Sequence, residues 1–361
     1  MRGVFIPILL AISVVGFSQE FDNNLFSGTT GEALYDSIVA NFKTDTVLTY
    51  SQARDTLFRN IYAQNDSLEC MYSGWKRYLN PDLDPTQAVF TNNGSNEDIN
   101  TEHVYPRSMG ASEGTAAHSD MHHLFPTRVP VNTARGNDIF MDISDNQTDT
   151  WFYLDQTSNN IPNNNIEQWS EDISEGFEPR EESKGDVARA VFYVYTMYRD
   201  QVLNASSQFF EQQRETLCVW AADDPATEEE LIRTYGIAEY QDDKPNPFVI
   251  DCSLSQRMYC EGVTNVECIT STSDTELIEA DWTMYPNPIS QGELIIQAER
   301  NWTHVIIVDM LGQVIERKPI TLGENSFRLN LENLPIAGNY QVILYNSNDY
   351  LQTAPKTLVR H

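Results

Sequence analysis

The composition of the chain changes sharply near Thr283, and this change limits the fold more than any other feature does. From Thr283 to His361 there are seven acidic and six basic residues, so almost all of the formal net charge of -30 lies before Thr283. A chain of 361 residues also exceeds the size that one hydrophobic core usually organises. We therefore predict a large, acidic N-terminal domain and a small, nearly neutral C-terminal domain.

The patterns of apolar residues differ between the two parts. Residues 184–203 carry apolar side chains at helical intervals after Ser183, a capping residue, which predicts a core helix. In the C-terminal part, short alternating or β-branched runs are separated by Gly, Asn and Pro, which is typical of a small β-sandwich. These runs are residues 294–297, 304–308, 327–331, 340–345 and 357–359. The expected fold class is α+β.

The N-terminus has the three parts of a secretory signal peptide. Arg2 is followed by an apolar run over residues 4–17 and by the polar exit Ser18-Gln19-Glu20. This run is shorter than the roughly 20 residues that span a bilayer, and no later stretch approaches that length. We expect residues 1–19 to be removed and the protein to be secreted to the extracellular space without stable membrane insertion.

Five cysteines remain after the signal peptide, and export to an oxidising space favours disulfides among them. They are Cys70, Cys218, Cys252, Cys260 and Cys268. The odd number leaves one thiol unpaired or intermolecular, and we expect a bridge among the last three. No pair has the Cys-x-x-Cys spacing of a zinc site.

The histidines are concentrated in residues 100–140, a window of nearly neutral charge. This window holds four of the six histidines, with four acidic and three basic residues, whereas residues 141–186 hold twelve acidic and two basic ones. Phosphate binding relies on basic surface, so the net charge of the whole chain argues against a nucleic-acid partner. Because charge and histidines are distributed unevenly along the chain, we expect the catalytic residues to lie in this window.

Three polar clusters lie within the window, at residues 100–108, 119–127 and 131–137. Hydrolysis of a phosphodiester needs a base that deprotonates water and a cation that neutralises developing charge. A neutral histidine such as His103 can be the base, because its pKa lies near working pH. The oxygen atoms of Glu102 and Asn132 are the hard ligands that Mg²⁺ or Ca²⁺ prefers.

These segments resemble the endonuclease I family of bacterial extracellular and periplasmic nucleases, which have a ββα-metal core. The resemblance rests on Glu-His-Val-x-Pro, Asp-x-His-His-Leu-x-Pro-Thr and Val-Asn-x-x-Arg-x-Asn, which begin at Glu102, Asp120 and Val131. It implies that His103 is the general base and that Glu102 and Asn132 hold one divalent ion, Mg²⁺ with Ca²⁺ or Mn²⁺ as alternatives. It also implies non-sequence-specific cleavage of DNA, with RNA left open as a second substrate.

Two arginines are further candidates for the catalytic set. By resemblance, Arg135 would steady a phosphate or brace the helix that carries Asn132. Some relatives place another arginine in a longer insertion after the Glu-His pair, whereas here only Arg107 is near, so either arginine could stabilise the leaving group. Neighbouring strand residues point to opposite faces, so Glu102 and His103 share a site only if the strand bends or ends there.

The other polar residues of the window also have structural interpretations. Asp120 could cap a helix or orient His103 or a metal-bound water. His122 and His123 precede apolar residues, and at least one of them is expected to be a hydrogen-bonded structural histidine. Asn137 is assigned to the same supporting group, and His118, in a loop of small residues, is expected to be exposed.

The C-terminal part resembles the type A sorting domain of the type IX secretion system found in Bacteroidetes. The segments that carry this resemblance are residues 285–288, 308–313 and 334–340. It implies a partner in the type IX secretion machinery, and the alternative is a carbohydrate-binding or adhesive β-domain. The predicted organisation is a signal peptide (1–19), an endonuclease I-like catalytic domain (20–266), a linker (267–282) and a sorting β-sandwich (283–361).

Two alternative functions remain at this stage. A secreted zinc hydrolase would use the histidine cluster, although zinc normally takes three protein ligands and no His-Glu-x-x-His motif is present. A catalytically inactive binding or adhesion protein could keep the same fold. Digestion of plasmid DNA with wild type and with His103→Ala distinguishes the inactive protein from the nuclease.

Overall fold

The structure is a computed structural model. It describes residues 25–90, 98–263, 277–278, 282–289, 293–298, 302, 304–309, 314–320, 326–330, 338–346, 351–353 and 356–360. The predicted signal peptide, Cys268 and most of the predicted linker lie outside these residues. Within the described residues, none of the helices has the length and apolar character needed to cross a membrane.

Helices dominate the N-terminal part. The α-helices of the described residues are α1 (Gly31–Phe42), α2 (Tyr50–Thr56), α3 (Pro85–Val89), α4 (Val129–Arg135), α5 (Lys184–Met197), α6 (Arg199–Ala205), α7 (Phe209–Asp223), α8 (Glu228–Ala238), α9 (Pro247–Ile250) and α10 (Leu254–Met258). Short 3-10 turns add Arg107–Met109, Ala116–His118, Met121–His123, Ile166–Gln168 and Glu181–Ser183.

Small sheets accompany these helices. The N-terminal strands are β1 (Ser67–Glu69), β2 (Lys76–Tyr78), β3 (Ile99–His103), β4 (Leu124–Arg128), β5 (Ile139–Phe140), β6 (Thr150–Tyr153), β7 (Gln156–Ser158), β8 (Ser170–Ile173) and β9 (Gly176–Glu178). β1 pairs with β2, β3 pairs with β4, and the other five form a sheet in the order β5-β9-β8-β6-β7.

The predicted ββα core is present in the second of these sheets. β3 and β4 are antiparallel, with Glu102 opposite Phe125 and His103 opposite Leu124. α4 follows β4 without a connecting loop, because Pro130 suits the first turn of a helix. Gly136 is the C-cap of this helix, and its φ of +54° is a backbone angle that residues with a Cβ rarely adopt.

The helix predicted over residues 184–203 is present but is interrupted at Tyr198. α5 ends at Met197 and α6 begins at Arg199. Ser183 occupies the N-cap position of α5, yet its hydroxyl donates to the backbone oxygen of Met71 and does not cap the helix. Most of α5 is buried, so this helix forms the centre of the larger hydrophobic core.

One of the last three cysteines forms its disulfide with a residue outside that group. Cys260 is bonded to Cys218, because α7, which carries Cys218, packs against α10, which ends just before Cys260. Cys252 is also disulfide-bonded. Among the described cysteines, Cys70 has a free thiol, which is buried and accepts the backbone N–H of Arg128.

Two buried carboxylates face each other across β8 and β9. Glu171 and Glu178 are register partners, and each is less than 10% exposed. Burial raises the pKa of Glu171 to about 7, a hydrogen bond from Thr148 opposes the rise, Glu178 and Asp145 add to it, and Lys184 lowers it. Folding therefore favours the protonated acid. The associated stability is fully present below about pH 4.5 and is lost as pH rises through about 7.

Glu171→Gln is expected to remove this pH dependence, because the amide stays neutral. The free energy of unfolding at pH 8 should rise by roughly 2–3 kcal/mol over wild type and should differ little at pH 5. Denaturant unfolding at the two pH values measures this, with Glu175→Gln, an exposed glutamate of the same hairpin, as the matched control. An equal change at both pH values would contradict the assignment.

The C-terminal part is the predicted β-sandwich. Its strands are β10 (Leu277–Ile278), β11 (Trp282–Tyr285), β12 (Glu293–Ala298), β13 (His304–Asp309), β14 (Val314–Pro319), β15 (Ser326–Asn330), β16 (Gly338–Asn346), β17 (Leu351–Thr353) and β18 (Lys356–Arg360). One sheet has the order β11-β12-β15, and the other has β10-β17-β16-β13-β14 with β18 paired to β16. Buried residues of both sheets form one core. The fold class, α+β with a C-terminal all-β region, is therefore confirmed.

Candidate active site

A strand and a helix of the ββα core face each other through two polar pairs. The Nδ2 of Asn132 donates to the Oδ1 of Asn100 at 2.7 Å, and the Nε of Arg135 lies 3.1 Å from the Oε1 of Glu102. Asn100 and Glu102 are two positions apart on β3 and share one face, about 7 Å apart along the strand. Asn132 and Arg135 share one face of α4. The four side chains therefore form one group, in which Glu102 and Asn132 belong to different pairs and lie diagonally opposite each other.

The carboxylate of Glu102 is buried, accepts two hydrogen bonds and forms an ion pair. The Tyr72 hydroxyl donates to its Oε1 at 2.9 Å, Arg135 lies against the same oxygen, and the backbone N–H of His103 also donates to the carboxylate. Burial raises the pKa of Glu102, whereas Arg135, Tyr72 and His103 lower it. A carboxylate has about four acceptor positions, so these contacts leave an acceptor position for a further ligand.

Arg135 is fully buried and is held from several sides. Besides Glu102, its Nη2 donates to the backbone oxygen of Val104 at 2.5 Å, and its guanidinium lies 4.7 Å from the ring centroid of Phe140. Arg107, in contrast, has a side chain that is 53% exposed and lies 3.6 Å from the exposed Glu113. Of the two candidate arginines, Arg107 is the one that can reach a substrate from solvent.

His103 is the last residue of β3, so its ring leaves the strand next to a loop. Its Nε2 lies 3.0 Å from the backbone oxygen of His118. A carbonyl oxygen only accepts, so this Nε2 carries the proton and Nδ1 keeps a free lone pair. Burial and the nearby His123 and Arg107 contribute to a pKa of His103 well below its ordinary value. The imidazole is therefore neutral and can accept a proton through Nδ1.

The 3-10 turn Ala116–His118 supplies the carbonyl groups that hold two histidine rings. The Nε2 of His123 donates to the backbone oxygen of Ala117 at 2.7 Å, next to the carbonyl that holds His103. The last carbonyls of a short helix have no partner within the helix, so they are free to accept these protons. Burial is the main reason that the pKa of His123 is lowered to about 4.

The remaining predicted residues have mostly structural contacts. Asp120 is fully buried and caps the turn Met121–His123 through the N–H of His122, while Tyr193 and Tyr198 donate to its other oxygen at 2.8 and 2.7 Å. The Nε2 of His122 donates to the backbone oxygen of Lys244 at 2.8 Å. Asn137 is exposed beyond the end of α4.

The expectation that His118 is exposed is wrong. Its side chain is buried, with 6% exposure, because the rings of Tyr50 and His103 pack against it at 4.5 and 5.1 Å between centroids. The small residues around it predicted an exposed loop, but they allow the turn to pack closely beneath α2.

Three residues of the site were not identified from the sequence. Asn100 could have been found, since its spacing of two from Glu102 places both on one strand face. Nothing local in the sequence links Tyr72 to Glu102, which lies 30 positions later. Tyr50 lies still further from the window and reaches His103 only through the packing of α2.

The donor set fits a hard divalent cation with few protein ligands. Because the amide nitrogen of Asn132 is used by Asn100, the Oδ1 of Asn132 stays free to bind a cation together with the remaining acceptor position of Glu102. Within residues 25–90, 98–263 and the described strands, no three His, Cys, Asp or Glu side chains group as a metal site. His122 and His123 each donate from a ring nitrogen to a backbone carbonyl oxygen. These two histidines therefore do not provide the ligand set that a zinc hydrolase would need.

The comparisons with known proteins identify the family of the chain. The Endonuclease I family profile matches residues 26–252, which is more than half of the chain. The chain belongs to the Endonuclease I family. The profile of the secretion system C-terminal sorting domain matches residues 283–359 of this endonuclease.

Curated relatives of this endonuclease are secreted enzymes. An extracellular ribonuclease of Bacillus amyloliquefaciens is 28% identical over 295 residues, covering 68% of this chain and 94% of the relative. An extracellular ribonuclease of Bacillus subtilis (strain 168) is 29% identical over 238 residues, covering 62% of this chain and 72% of the relative. A solved structure of PorZ is also similar over 22% of this chain and 11% of PorZ, which is a surface component of the type IX secretion system of Porphyromonas gingivalis. The TM-score is 0.20 and the sequence identity is 16%, so this similarity supports no argument.

The family assignment decides between the functional classes left open by the sequence. The protein is a secreted nuclease, and thus a phosphodiester hydrolase, with a type IX sorting domain at its C-terminal end. The family is generally metal-dependent. An adhesive β-domain and an inactive binding protein are not supported.

Proposed function

We propose that this endonuclease hydrolyses DNA and RNA without sequence preference, with His103 as the general base and one Mg²⁺ held by Glu102 and Asn132. Ca²⁺ and Mn²⁺ are the alternative ions. The observation that carries the proposal is the hydrogen bond from the Nε2 of His103 to the backbone oxygen of His118, which leaves Nδ1 as the only basic atom of a neutral imidazole.

His103 would accept a proton from the attacking water at Nδ1. Its lowered pKa keeps the ring neutral at the pH of an extracellular medium, so no proton has to be removed before reaction. The Nε2–H contact to His118 holds the ring while Nδ1 gains the proton. The nucleophile in this scheme is water, and no 2′-hydroxyl is needed.

The bound cation would neutralise charge on the phosphate. Glu102 would be kept ionised toward it by Arg135 and Tyr72, and Asn100 would orient the amide of Asn132 so that its oxygen faces the ion. We propose that Arg107 contacts the phosphate from solvent, whereas Arg135 acts by bracing Glu102, since its own side chain is fully buried.

A mechanism of this kind cleaves either nucleic acid. Contacts to phosphate carry no base information, so they give little sequence preference. The two Bacillus relatives are named as ribonucleases, which supports RNA as a substrate beside DNA. A matched pair of an oligoribonucleotide and its 2′-O-methyl version tests the role of water, and we expect both to be cut.

Removal of the divalent ion is expected to abolish cleavage of plasmid DNA, and added Mg²⁺ should restore it. Glu102→Gln and Asn132→Ala should raise the Mg²⁺ concentration for half-maximal activity by at least about 10-fold, because each removes a ligand oxygen or its charge. Asn146→Ala, which changes an exposed amide, is the matched control. The activity is followed by gel and by a fluorescent oligonucleotide.

Two results would overturn the proposal. Full activity after exhaustive treatment with EDTA would exclude the cation. Cleavage of RNA but of neither DNA nor the 2′-O-methyl oligonucleotide would show that a 2′-hydroxyl, and not water activated by His103, is the nucleophile.

A further inference from the structure

The ring of His103 has two aromatic neighbours that the proposed chemistry does not itself require. The His118 ring is stacked on it, with 5.1 Å between centroids and 23° between planes. The Tyr50 ring lies 5.4 Å from the His103 ring and 4.5 Å from the His118 ring. Each of the three rings therefore contacts the other two.

His118 holds His103 in two ways at once. Its backbone oxygen accepts the Nε2 proton, and its side chain covers a face of the same imidazole. The carbonyl selects the tautomer, whereas the stacked ring limits rotation of the imidazole about its side-chain bonds. Both contacts come from the turn Ala116–His118, so ring and carbonyl are fixed relative to one another.

Tyr50 forms the outer member of the cluster and is itself anchored. It is the first residue of α2, directly after the capping box made by Thr49 and Gln52. The guanidinium of Arg54 lies 5.4 Å from the Tyr50 ring centroid, one turn further along the helix. The half-buried Tyr50 ring is restrained by these contacts, so it can hold the His118 and His103 rings in place.

Stability alone does not account for a histidine at position 118. Its side chain is 6% exposed, and its Nε2 has no hydrogen-bond partner among the described residues. A buried polar atom without a partner costs about 1–3 kcal/mol, so an apolar ring of similar size would be more stable there. Such a cost is commonly kept where a residue serves activity.

We propose that Tyr50 and His118 are positioning residues that act as a clamp, because their two rings, packed on each other, also pack on the His103 imidazole and keep its Nδ1 directed at the attacking water. The proposal rests on the assigned role of His103 as general base. Misplacement of a reacting group by about 1 Å can cost roughly 10²-fold in rate, so a clamp of this kind has a measurable effect.

Ring-removing and ring-keeping variants of the full chain test the clamp. Tyr50→Ala and His118→Ala remove a ring but leave the backbone carbonyl, and each should lower kcat by about 10- to 100-fold with KM changed less than about twofold. Tyr50→Phe and His118→Phe keep the ring and should retain most of the wild-type kcat. Tyr78→Ala, at an exposed tyrosine of β2, is the matched control and should not change kcat.

A second measurement does not depend on activity. The ¹⁵N shifts of the His103 ring should show one Nε2-protonated tautomer in wild type and in the two Phe variants. In the two Ala variants we expect a mixture of tautomers, because the released ring can leave the carbonyl. Circular dichroism and thermal unfolding identify variants that fail to fold. If an Ala variant does not fold, the comparison of the Phe variants with wild type tests the proposal.

The outcomes separate this proposal from the proposed function. Ala variants with wild-type kcat and a single tautomer would overturn the clamp, as would a rise in KM with unchanged kcat, which would indicate contact with substrate. If His103→Ala cleaves as fast as wild type, the general base is wrong, yet the ¹⁵N shifts still report whether Tyr50 and His118 fix the ring.

Discussion

His103→Ala is expected to lower kcat by about 10²- to 10⁴-fold, the usual contribution of a general base. KM should change little, because the imidazole acts on the water and not on substrate binding. The effect follows from the neutral ring, whose Nε2 proton is engaged by the His118 carbonyl and whose Nδ1 is free. Initial rates on a fluorescent oligonucleotide at saturating Mg²⁺ measure it.

The matched control for this experiment is His304→Ala, since His304 belongs to the C-terminal sandwich. It should leave kcat and KM at their wild-type values. Retention of wild-type kcat by His103→Ala, in a protein shown to be folded, would remove His103 from the mechanism.

Arg135→Met is expected to lower the free energy of unfolding by about 3–5 kcal/mol, the usual result of breaking one partner of a buried ion pair. The loss follows because Glu102 is 2% exposed and would be left without its compensating charge. The donor to the Val104 backbone oxygen would be lost as well. Denaturant unfolding of the full chain measures the change.

Arg107→Met provides the contrast. Its side chain is 53% exposed and its contact with Glu113 is at the surface, so stability should change by less than about 0.5 kcal/mol. If Arg107 contacts the phosphate, kcat/KM should fall by about 10²-fold. The assignment of the two arginines is wrong if Arg135→Met leaves stability unchanged or if Arg107→Met retains full activity.

Local sequence patterns were sufficient for the α+β fold class and for much of the sandwich. The predicted strand at residues 304–308 appears as His304–Asp309, and that at residues 340–345 appears as Gly338–Asn346. Alternation of apolar and polar residues depends only on the period of a strand, which is a local property. The same reasoning missed β14 (Val314–Pro319), whose charged residues hide the alternation.

Helix continuity was harder to predict. Apolar spacing continues from α5 into α6, but the hydroxyl of Tyr198 donates to the buried Asp120, and the helix breaks at this residue. The partner of Tyr198 lies 78 positions earlier in the chain, beyond the range of any local pattern.

For the candidate site, too, the sequence identified some features and the tertiary structure was needed for others. The spacing of motifs identified Glu102, His103 and Asn132 as the residues with suitable chemistry, but it could not separate the roles of two arginines with equal charge. Burial separates them, since Arg135 is enclosed against Glu102 whereas Arg107 reaches solvent. Exposure depends on which elements cover a residue and is therefore a tertiary property.

By itself, the sequence determined the fold class, the family and the type IX sorting domain, because these depend on composition and on residues close together in the chain. Only the tertiary structure decided which nitrogen of His103 lies against a carbonyl oxygen, which groups contact Glu102 and Asn132, and which rings pack on His103. Those properties depend on the ring of Tyr50, the hydroxyl of Tyr72 and the backbone carbonyl of His118, which packing brings to the site. A hydrogen bond or a ring contact exists only when distant segments are within a few ångströms.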